Sequence, residues 1–538
     1  MQRRTFLRAA AGAAVAGLAG CTRGGSGQGA APTGPGGTPG GRTGTGPSTT
    51  PRPRPTGTAA PATASDWAAL ARDLDGRLVR PGDADYGTAR LAFNPRYDGI
   101  HPAGIAYCAG PADVRSCLAF ATRHGLPLVP RAGGHSYAGA STSTGLIVDV
   151  TWMRSVAVDA ASGAATIGAG ARLVDVYAAL AGHGRTIPAG SCPTVGLAGL
   201  ALGGGLGVVG RAYGLTSDSL VAATVVTADG RVLDCDARRQ PDLFWACRGG
   251  GGGNFGVLTS LRLRTHPAPA ATLFFLSWSW SVAARVVDGW QRWAPAAPDP
   301  VWSTCKLLGS TDRARPSVLV AGLYLGSAGD LTPLLDGLVA AVGAEPATRS
   351  VRTRGYAEAM LAEAGCSGRR VAECHLPWQA PGGRVARESL AAASHFVGRP
   401  LPADGIAVLV RAAEQRGRLG GGGEGGVSLD ALGGAINRVP PDATAFVHRG
   451  ALFLAQLTTT WAGGASAGSV ARQRDWLRGS RAALRPYANG EAYQNYADPE
   501  LADWRRAYYG RNYDRLVRVK ARYDPGSLFR PAHGIPPR

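Results

Sequence analysis

Between residues 66 and 267 apolar positions recur in two rhythms, one near every third or fourth residue and one at every second. The first rhythm predicts helices over Asp66–Leu78, over Pro111–His124 with Asp113 near its start and Gly125 past its end, and over Leu173–His183, stopped by Gly184. The second predicts short strands at Leu126–Pro130, which runs into a glycine turn, at Leu146–Val150 and at Ala165–Ile167. Leu220–Thr227 alternates and continues past Ala228-Asp229-Gly230 into Arg231–Asp234, the pattern of a hairpin. Strands mixed with helices in this way predict an α+β domain.

From 268 the pattern changes. Leu273–Val282 alternates Phe and Trp with small residues, and Val318–Leu325 and Ala451–Thr460 read as further strands. Helical periodicity fills Val282–Trp293 and Ser469–Leu484. This set predicts a second domain over 268–485, a mainly antiparallel sheet covered by helices. The tyrosine-rich stretch Tyr487–Arg522 and the turn Asp524-Pro525-Gly526 make up a closing module over 486–538. Residues 22–65 are nearly all Gly, Pro, Ser, Thr and Ala with scattered Arg, too poor in apolar surface to offset ordering entropy, and predict a disordered tether.

With 45% hydrophobic and 17% charged residues in 538, most of the chain can bury a core, and the length calls for more than one. The formal charge of +20 raises the question of nucleic acid. Only Lys306 and Lys520 among the 57 basic residues are lysine, which fits a genome-wide codon bias better than a phosphate-binding surface. There is no basic run of five and no helix-turn-helix, finger or RNA-sheet signature, so nucleic acid is not the expected partner. No metal-ligand spacing occurs.

At the N-terminus, Arg3-Arg4-Thr5-Phe6-Leu7-Arg8 resembles a twin-arginine export signal, followed by an apolar stretch, Ala9–Ala19, too short to stay in a bilayer as a spanning helix. The signal, residues 1–21, ends in Leu18-Ala19-Gly20-Cys21, similar to a bacterial lipobox. Either Cys21 becomes a lipid anchor or the signal is simply cleaved; a tether that starts directly after Cys21 favours the anchor. The twin-arginine route implies a protein folded around a prosthetic group before export. An extracytoplasmic location permits disulfides, but spacing alone assigns no pair, Cys108 with Cys117 included.

Three glycine clusters occupy the first domain. Val129-Pro130-Arg131-Ala132-Gly133-Gly134-His135-Ser136-Tyr137 follows a strand, and backbone amides freed of side chains can approach a diphosphate closely. It is neither a Walker loop nor a Rossmann fingerprint. Ser191-Cys192-Pro193-Thr194-Val195-Gly196-Leu197-Ala198-Gly199 leads into Gly203-Gly204-Gly205-Leu206-Gly207, and Arg248–Gly256 ends in Asn254-Phe255-Gly256. Three clusters exceed what turns require and suggest a long cofactor laid against backbone, although glycine loops alone can be mere turns.

Arg131-Ala132-Gly133-Gly134-His135-Ser136 resembles the flavin-attachment loop of the vanillyl-alcohol-oxidase-type FAD-binding domain, and Cys192-Pro193-Thr194-Val195-Gly196 the second attachment motif of berberine-bridge-enzyme-like oxidases. Phe244-Trp245-Ala246-Cys247-Arg248 with Asn254-Phe255-Gly256 is similar to the family's third cofactor segment. Tyr493-Gln494-Asn495-Tyr496-Ala497-Asp498, Tyr509-Gly510-Arg511-Asn512-Tyr513 and Tyr523-Asp524-Pro525 resemble its closing module. The match runs from about residue 95 to 536. One departure is Leu200, where many plant members have His. The resemblance implies a two-part FAD-binding domain (66–267 completed by 486–538), a substrate domain (268–485), and FAD bound covalently through both His135 and Cys192. It also implies cofactor contacts from Arg131, Gly133, Gly134, Ser136, Thr194, Val195, Gly196, Gly199, Gly203, Gly205, Asn254, Gly256, Val257 and Asn495. With Cys21 and Cys192 so engaged, seven cysteines remain, an odd number that leaves at least one free thiol.

The activity implied is oxidation of an alcohol, a sugar or a secondary metabolite, with oxygen as acceptor. A base must take the hydroxyl proton as hydride leaves the adjacent carbon. The family fills this role with a tyrosine that maps to Tyr496, with Tyr493 as the close rival. A free tyrosine titrates near ~10, so the base is expected to have positive charge or hydrogen-bond donors around it. Val195 occupies the position where the family's oxidases carry Val and its oxygen-shy members carry Leu or Ile. A dehydrogenase with another acceptor, or a lipoprotein that binds flavin or carbohydrate without turnover, remains open. His448 could touch substrate, although a strand-end histidine is more often structural, and Glu424, within Gly420–Gly426, reads as a solvated residue of a mobile loop.

Overall fold

A computed structural model describes residues 60–310 and 316–538; the signal, Cys21 and nearly all of the predicted tether lie outside the described residues. The first helix runs Ala64–Asp73, starting before Asp66 because Thr63 caps it in a reciprocal capping box with Asp66. It also stops earlier than the expected Leu78. Asp75 and Gly76 donate their N–H groups to buried Asp113, and a Cβ on Gly76 would lie 1.9 Å from the Tyr107 carbonyl oxygen. The chain therefore turns there, and Arg77–Val79 becomes an edge strand against Gly104–Tyr107.

Within 66–267 two main sheets stand side by side, besides a two-stranded pair of Arg185–Thr186 with His266–Pro267. One has the order Arg77–Val79, Gly104–Tyr107, Leu146–Asp149, Leu128–Arg131, and its last three strands are parallel. The helix Pro111–Arg123 carries the chain from Gly104–Tyr107 to Leu128–Arg131, and residues 132–145, which include the histidine loop, carry it back to Leu146–Asp149 between them. The other is antiparallel, Val156–Val158, Ala164–Gly168, Val257–Arg264, Leu220–Val226, Val232–Asp236, and its last pair is the expected hairpin, closed by Thr227 and by Gly230 at φ 80°. Both sheets and the helix Leu173–Ala181 share one core that also receives Trp504, Tyr508, Tyr509 and Phe529 of the closing module.

The second domain is a seven-stranded antiparallel sheet in the order Thr348–Arg354, Ala271–Trp278, Ser317–Tyr324, Val301–Ser310, Glu424–Ala431, Phe453–Trp461, Ser389–Val397. The strand expected over Leu273–Val282 ends at Trp278; Trp280–Val282 is a short 3₁₀ turn leading into the helix Ala283–Ala296. Glu424 is not a solvated loop residue. It is half-buried and opens a central strand, paired with Ser310 on one side, while the turn before it is made by Gly420–Gly423, all at positive φ. Alternation decides the faces. Cys305, Leu307, Val427, Leu429, Ala455 and Leu457 pack under helices Ala283–Ala296, Ala328–Val342, Ala403–Gly417 and Ala467–Leu484, whereas Thr304, Lys306, Ser428, Asp430 and Gln456 occupy the alternate positions. Trp290 anchors the apolar side, fully buried with its indole N–H on Ser303 at 3.0 Å; truncating it to Ala would cost about 3–5 kcal/mol.

The two domains are clamped by Arg449, whose guanidinium holds both carboxylate oxygens of Asp218 at 2.7 and 2.8 Å with almost no exposure. A disulfide joins Cys366 and Cys374, and Cys108, Cys117, Cys192, Cys235, Cys247 and Cys305 lie outside any disulfide among the described residues. Among the described residues no helix is long and apolar enough to cross a membrane, and no metal-binding cluster occurs.

Candidate active site

A cavity of about 270 Å³ opens between the two sheets of the first domain and the closing module. Its walls include Arg131, Gly133, Gly134, His135, Ser136, Cys192, Val195, Gly196, Gly199, Asn254, Gly256, Val257, Tyr493, Asn495 and Tyr496, residues that the motifs single out from four separate stretches of sequence. Thr194, Gly203 and Gly205 stand outside the lining. Thr194 is buried behind His135. The space left by the absent side chains at Gly203 and Gly205 is filled by Asn495 and Thr216, whose atoms lie 2.0 and 2.3 Å from where a Cβ would be. Tyr137, Leu200 and Tyr509, which stand in or beside the motifs without an assigned role, also line the cavity, as do Phe93, Tyr508 and His533, to which no motif pointed.

The glycines fall into two kinds. Gly133 and Gly196 are where the histidine loop and the cysteine loop cross: a Cβ on Gly133 would sit 2.2 Å from the Gly196 nitrogen, and one on Gly196 2.3 Å from the Gly133 nitrogen. Only bare backbone lets the loops touch. Gly199 has nothing within 4 Å of its missing Cβ, and Gly252 only one atom at 4.0 Å, so a side chain at either would grow into the cavity.

These loops are held from behind. The N–H groups of Leu173 and Val174, opening a helix, donate to the carbonyls of Val195 and Pro193. The His135 ring stacks on Phe93 at 4.1 Å, and its Nε2 lies 2.7 Å from Thr194 Oγ1. Burial, and secondarily the charge of Arg172, push the His135 imidazole down to about 3, so it is a neutral ring. Arg131 gives Nε to Asp149 at 2.5 Å and Nη2 to the Ala89 carbonyl at 2.7 Å. Its Nη1 is buried without a hydrogen-bond partner among the described residues, a cationic donor on a cavity wall. An open backbone cradle, a neutral histidine, a thiol and that donor fit an FAD tethered at one end and held by backbone along its length.

The closing module seals the far side. Lys520, fully buried, donates to the carbonyls of Asn254 and Phe529 and to Asp524, each within 2.7 Å, and the Ile535 N–H reaches Asn254 Oδ1 at 3.0 Å. Gln494 donates to Gly249, tying the third glycine cluster to the tyrosine motif. His448 is structural as expected, fully buried and held between Glu491 and the Tyr508 carbonyl at 3.1 Å each.

The two tyrosines differ. The Tyr493 hydroxyl accepts from the N–H groups of Gly205 and Leu206 at 3.1 Å and from Asn495 Nδ2 at 2.9 Å. Three donors fill it, and it has no capacity left for a substrate proton. Tyr496 stacks on Tyr137 at 5.5 Å and meets Tyr493 edge-on at 4.9 Å. The donors expected around a base thus surround Tyr493. Tyr496 is instead raised well above the ordinary tyrosine range, first by burial and then by the charge of Asp430.

Asp430 belongs to a polar group that sequence reading missed. On the sheet face away from the helices, Ser428 stands beside Lys306 on one neighbouring strand and Gln456 on the other, and Thr304 stands beside Asp430. All are buried except Asp430, which is half-buried. Lys306 is held down by burial, against the opposing charges of Glu363, Asp430, Cys192 and Glu424, while burial lifts Asp430 and raises the Glu363 carboxyl to about 7. A signal existed: Lys306 is one of two lysines in an arginine-rich chain, and both prove buried.

Residues 102–236 match the family model described as an FAD binding domain, and residues 492–536 the one described as berberine and berberine like. The chain is 34% identical over 469 residues to the uncharacterised FAD-linked oxidoreductase YgaK of Bacillus subtilis, covering 86% of this chain and 97% of that one. Among solved structures, wild-type BBE-like 1 of Physcomitrella patens superposes with a TM-score of 0.79 at 30% identity, over 88% of this chain and 99% of that one. A glucooligosaccharide oxidase of Acremonium strictum, described as carrying a 6-S-cysteinyl, 8α-N1-histidyl FAD, superposes with a TM-score of 0.77 at 26% identity, over 88% and 99%.

Proposed function

Because the chain belongs to the berberine-bridge-enzyme-like FAD-linked oxidoreductases, we propose that it oxidises an alcohol, of a sugar or a secondary metabolite, with FAD tethered through both His135 and Cys192 and with oxygen reduced to hydrogen peroxide. The observation that carries this reading is the convergence of His135, Cys192 and Tyr496 on one glycine-walled cavity. Bound there, FAD supplies the hydride acceptor and passes the electrons on. The protein's own part is to fix, to exclude and to move a proton. His135 and Cys192 hold the cofactor, and Arg131 Nη1 offers a charged donor to its anionic portion. Tyr496 takes the substrate hydroxyl proton, and its own phenolic proton passes to the half-buried carboxylate of Asp430, whose negative charge resists a phenolate but accepts a proton. Tyr493, saturated by three donors, positions the second glycine cluster. A face offering buried Thr304, Lys306, Ser428 and Gln456 beside half-buried Asp430 suits a substrate rich in hydroxyls.

The same reading places the protein outside the cytoplasm, with Arg3 and Arg4 directing export and Cys21 carrying the lipid. Partition of the wild-type protein into the aqueous phase of a detergent extraction would remove the anchor from it.

Function is tested with a panel of sugars, oligosaccharides and aromatic alcohols, following flavin bleaching without oxygen and peroxide release in air. A substrate that bleaches the flavin and yields one peroxide per turnover supports the oxidase. Bleaching without peroxide gives the dehydrogenase. No bleaching by any alcohol gives a binding protein.

A further inference from the structure

We infer that Thr194, although it lies outside the cavity, is the positioning residue that directs flavin attachment to the Nδ1 atom of His135, so that the cysteine loop governs both tethers; this rests on the bicovalent reading above. Thr194 is fully buried, and its Oγ1 is 2.7 Å from His135 Nε2. Its place is fixed on both sides, since Pro193 and Val195 are each held through their carbonyls by the helix starting at Leu173. Gly133, two residues before the histidine, meets Gly196, two residues after the threonine, backbone to backbone. Phe93 fixes the plane of the imidazole. A ring held in plane, with Nε2 engaged from behind, has one nitrogen left to bond.

The chemistry needs that choice. A neutral imidazole carries one N–H and one lone pair, and the nitrogen with the lone pair is the nucleophile. With Nε2–H donating to Thr194, the lone pair is on Nδ1. Forming the C–N bond replaces one hydrogen of the methyl carbon and finally removes the Nε2 proton. The two protons and two electrons released reduce one dioxygen to hydrogen peroxide, which leaves the flavin oxidised. Afterwards Nε2 has a lone pair and no proton, and the same hydroxyl turns to donate to it. A hydroxyl serves both states, and a methyl serves neither.

Thr194→Val keeps the shape and removes the hydroxyl, while Thr194→Ser restores it. Losing this buried hydrogen bond is expected to slow histidyl attachment about tenfold. Peptide mapping of freshly made Thr194→Val should then show flavin on the Cys192 peptide with little on the His135 peptide, and Thr194→Ser should recover both. A merely structural threonine would lower both linkages together. Equal His135 loading in Thr194→Val and wild type would overturn the inference. If Thr194→Val does not accumulate, NMR of the wild-type flavin peptide decides: linkage at Nδ1 is required, and linkage at Nε2 refutes it. Wild-type protein with no covalent flavin would instead refute the bicovalent reading itself.

Discussion

In the flavin-binding domain the cavity is walled by backbone, with Gly133 against Gly196 and open space at Gly199 and Gly252, whereas the seven-stranded sheet presents side chains, Lys306, Ser428, Asp430 and Gln456, on one face of adjacent strands. The two constructions differ in how much change they tolerate. A backbone crossing permits no substitution, because the neighbour is a peptide nitrogen that cannot rotate away. A row of side chains on a rigid sheet can be exchanged one at a time without moving a strand. The first construction suits a group that is always held in one place, and the second can be altered residue by residue.

The difference can be broken most severely at the crossing. Gly133→Ala places a Cβ about 2.2 Å from the Gly196 nitrogen and should cost more than about 3 kcal/mol, leaving little soluble, flavin-loaded protein. Ser428→Ala on the sheet should leave yield and flavin content unchanged. Equal yields for the two would erase the distinction.

Next in size is the proton path between the regions. Tyr496→Phe should retain flavin and slow its anaerobic reduction by substrate about 10²–10⁴-fold. Unaltered reduction in stopped-flow measurements would move the base elsewhere.

A smaller effect is expected at Val195, on the cavity wall and packed against the main core. Val195→Leu adds a methylene in a close-packed place and should slow reoxidation by oxygen several-fold with reduction nearly unchanged. Equal reoxidation rates would reduce Val195 to a packing residue.

The smallest sharpens the side-chain half through pH. Glu363, nearly fully buried, has its carboxyl raised from an ordinary 4.5 to about 7, by burial and against the pull of Lys306. A raised acid stabilises the fold below pH 4.5, and that contribution is lost as pH climbs to about 7. Glu363→Gln should flatten this part of the curve of urea midpoint against pH. An unchanged slope would mean that Glu363 ionises inside the fold as it does outside.

The same contrast explains what the sequence disclosed. Backbone sites need glycine at fixed offsets, and Arg131–Ser136 and Cys192–Gly196 stand out in one dimension. The hairpin at Leu220–Asp236 and the helices at Pro111 and Leu173 were equally plain, because period and stop signals coincide. Asp430 was not legible, since it is an ordinary residue whose neighbours come from strand register across more than a hundred residues, and Lys306 was marked only by the rarity of lysine. Gly203 and Gly205 misled for the opposite reason: glycine marks close approach without saying whether a cofactor or Asn495 and Thr216 make it. Glu424 was hidden by a glycine run that reads as a loop yet ends in a central strand.

The central claim, two tethers from two interlocked loops, is tested most directly by intact-mass measurement of the denatured protein and its single and double variants. The account predicts one FAD retained per chain in wild type, in His135→Ala and in Cys192→Ala, and none in the double variant. Wild-type chains at the bare polypeptide mass, with the flavin free in solution, would contradict it.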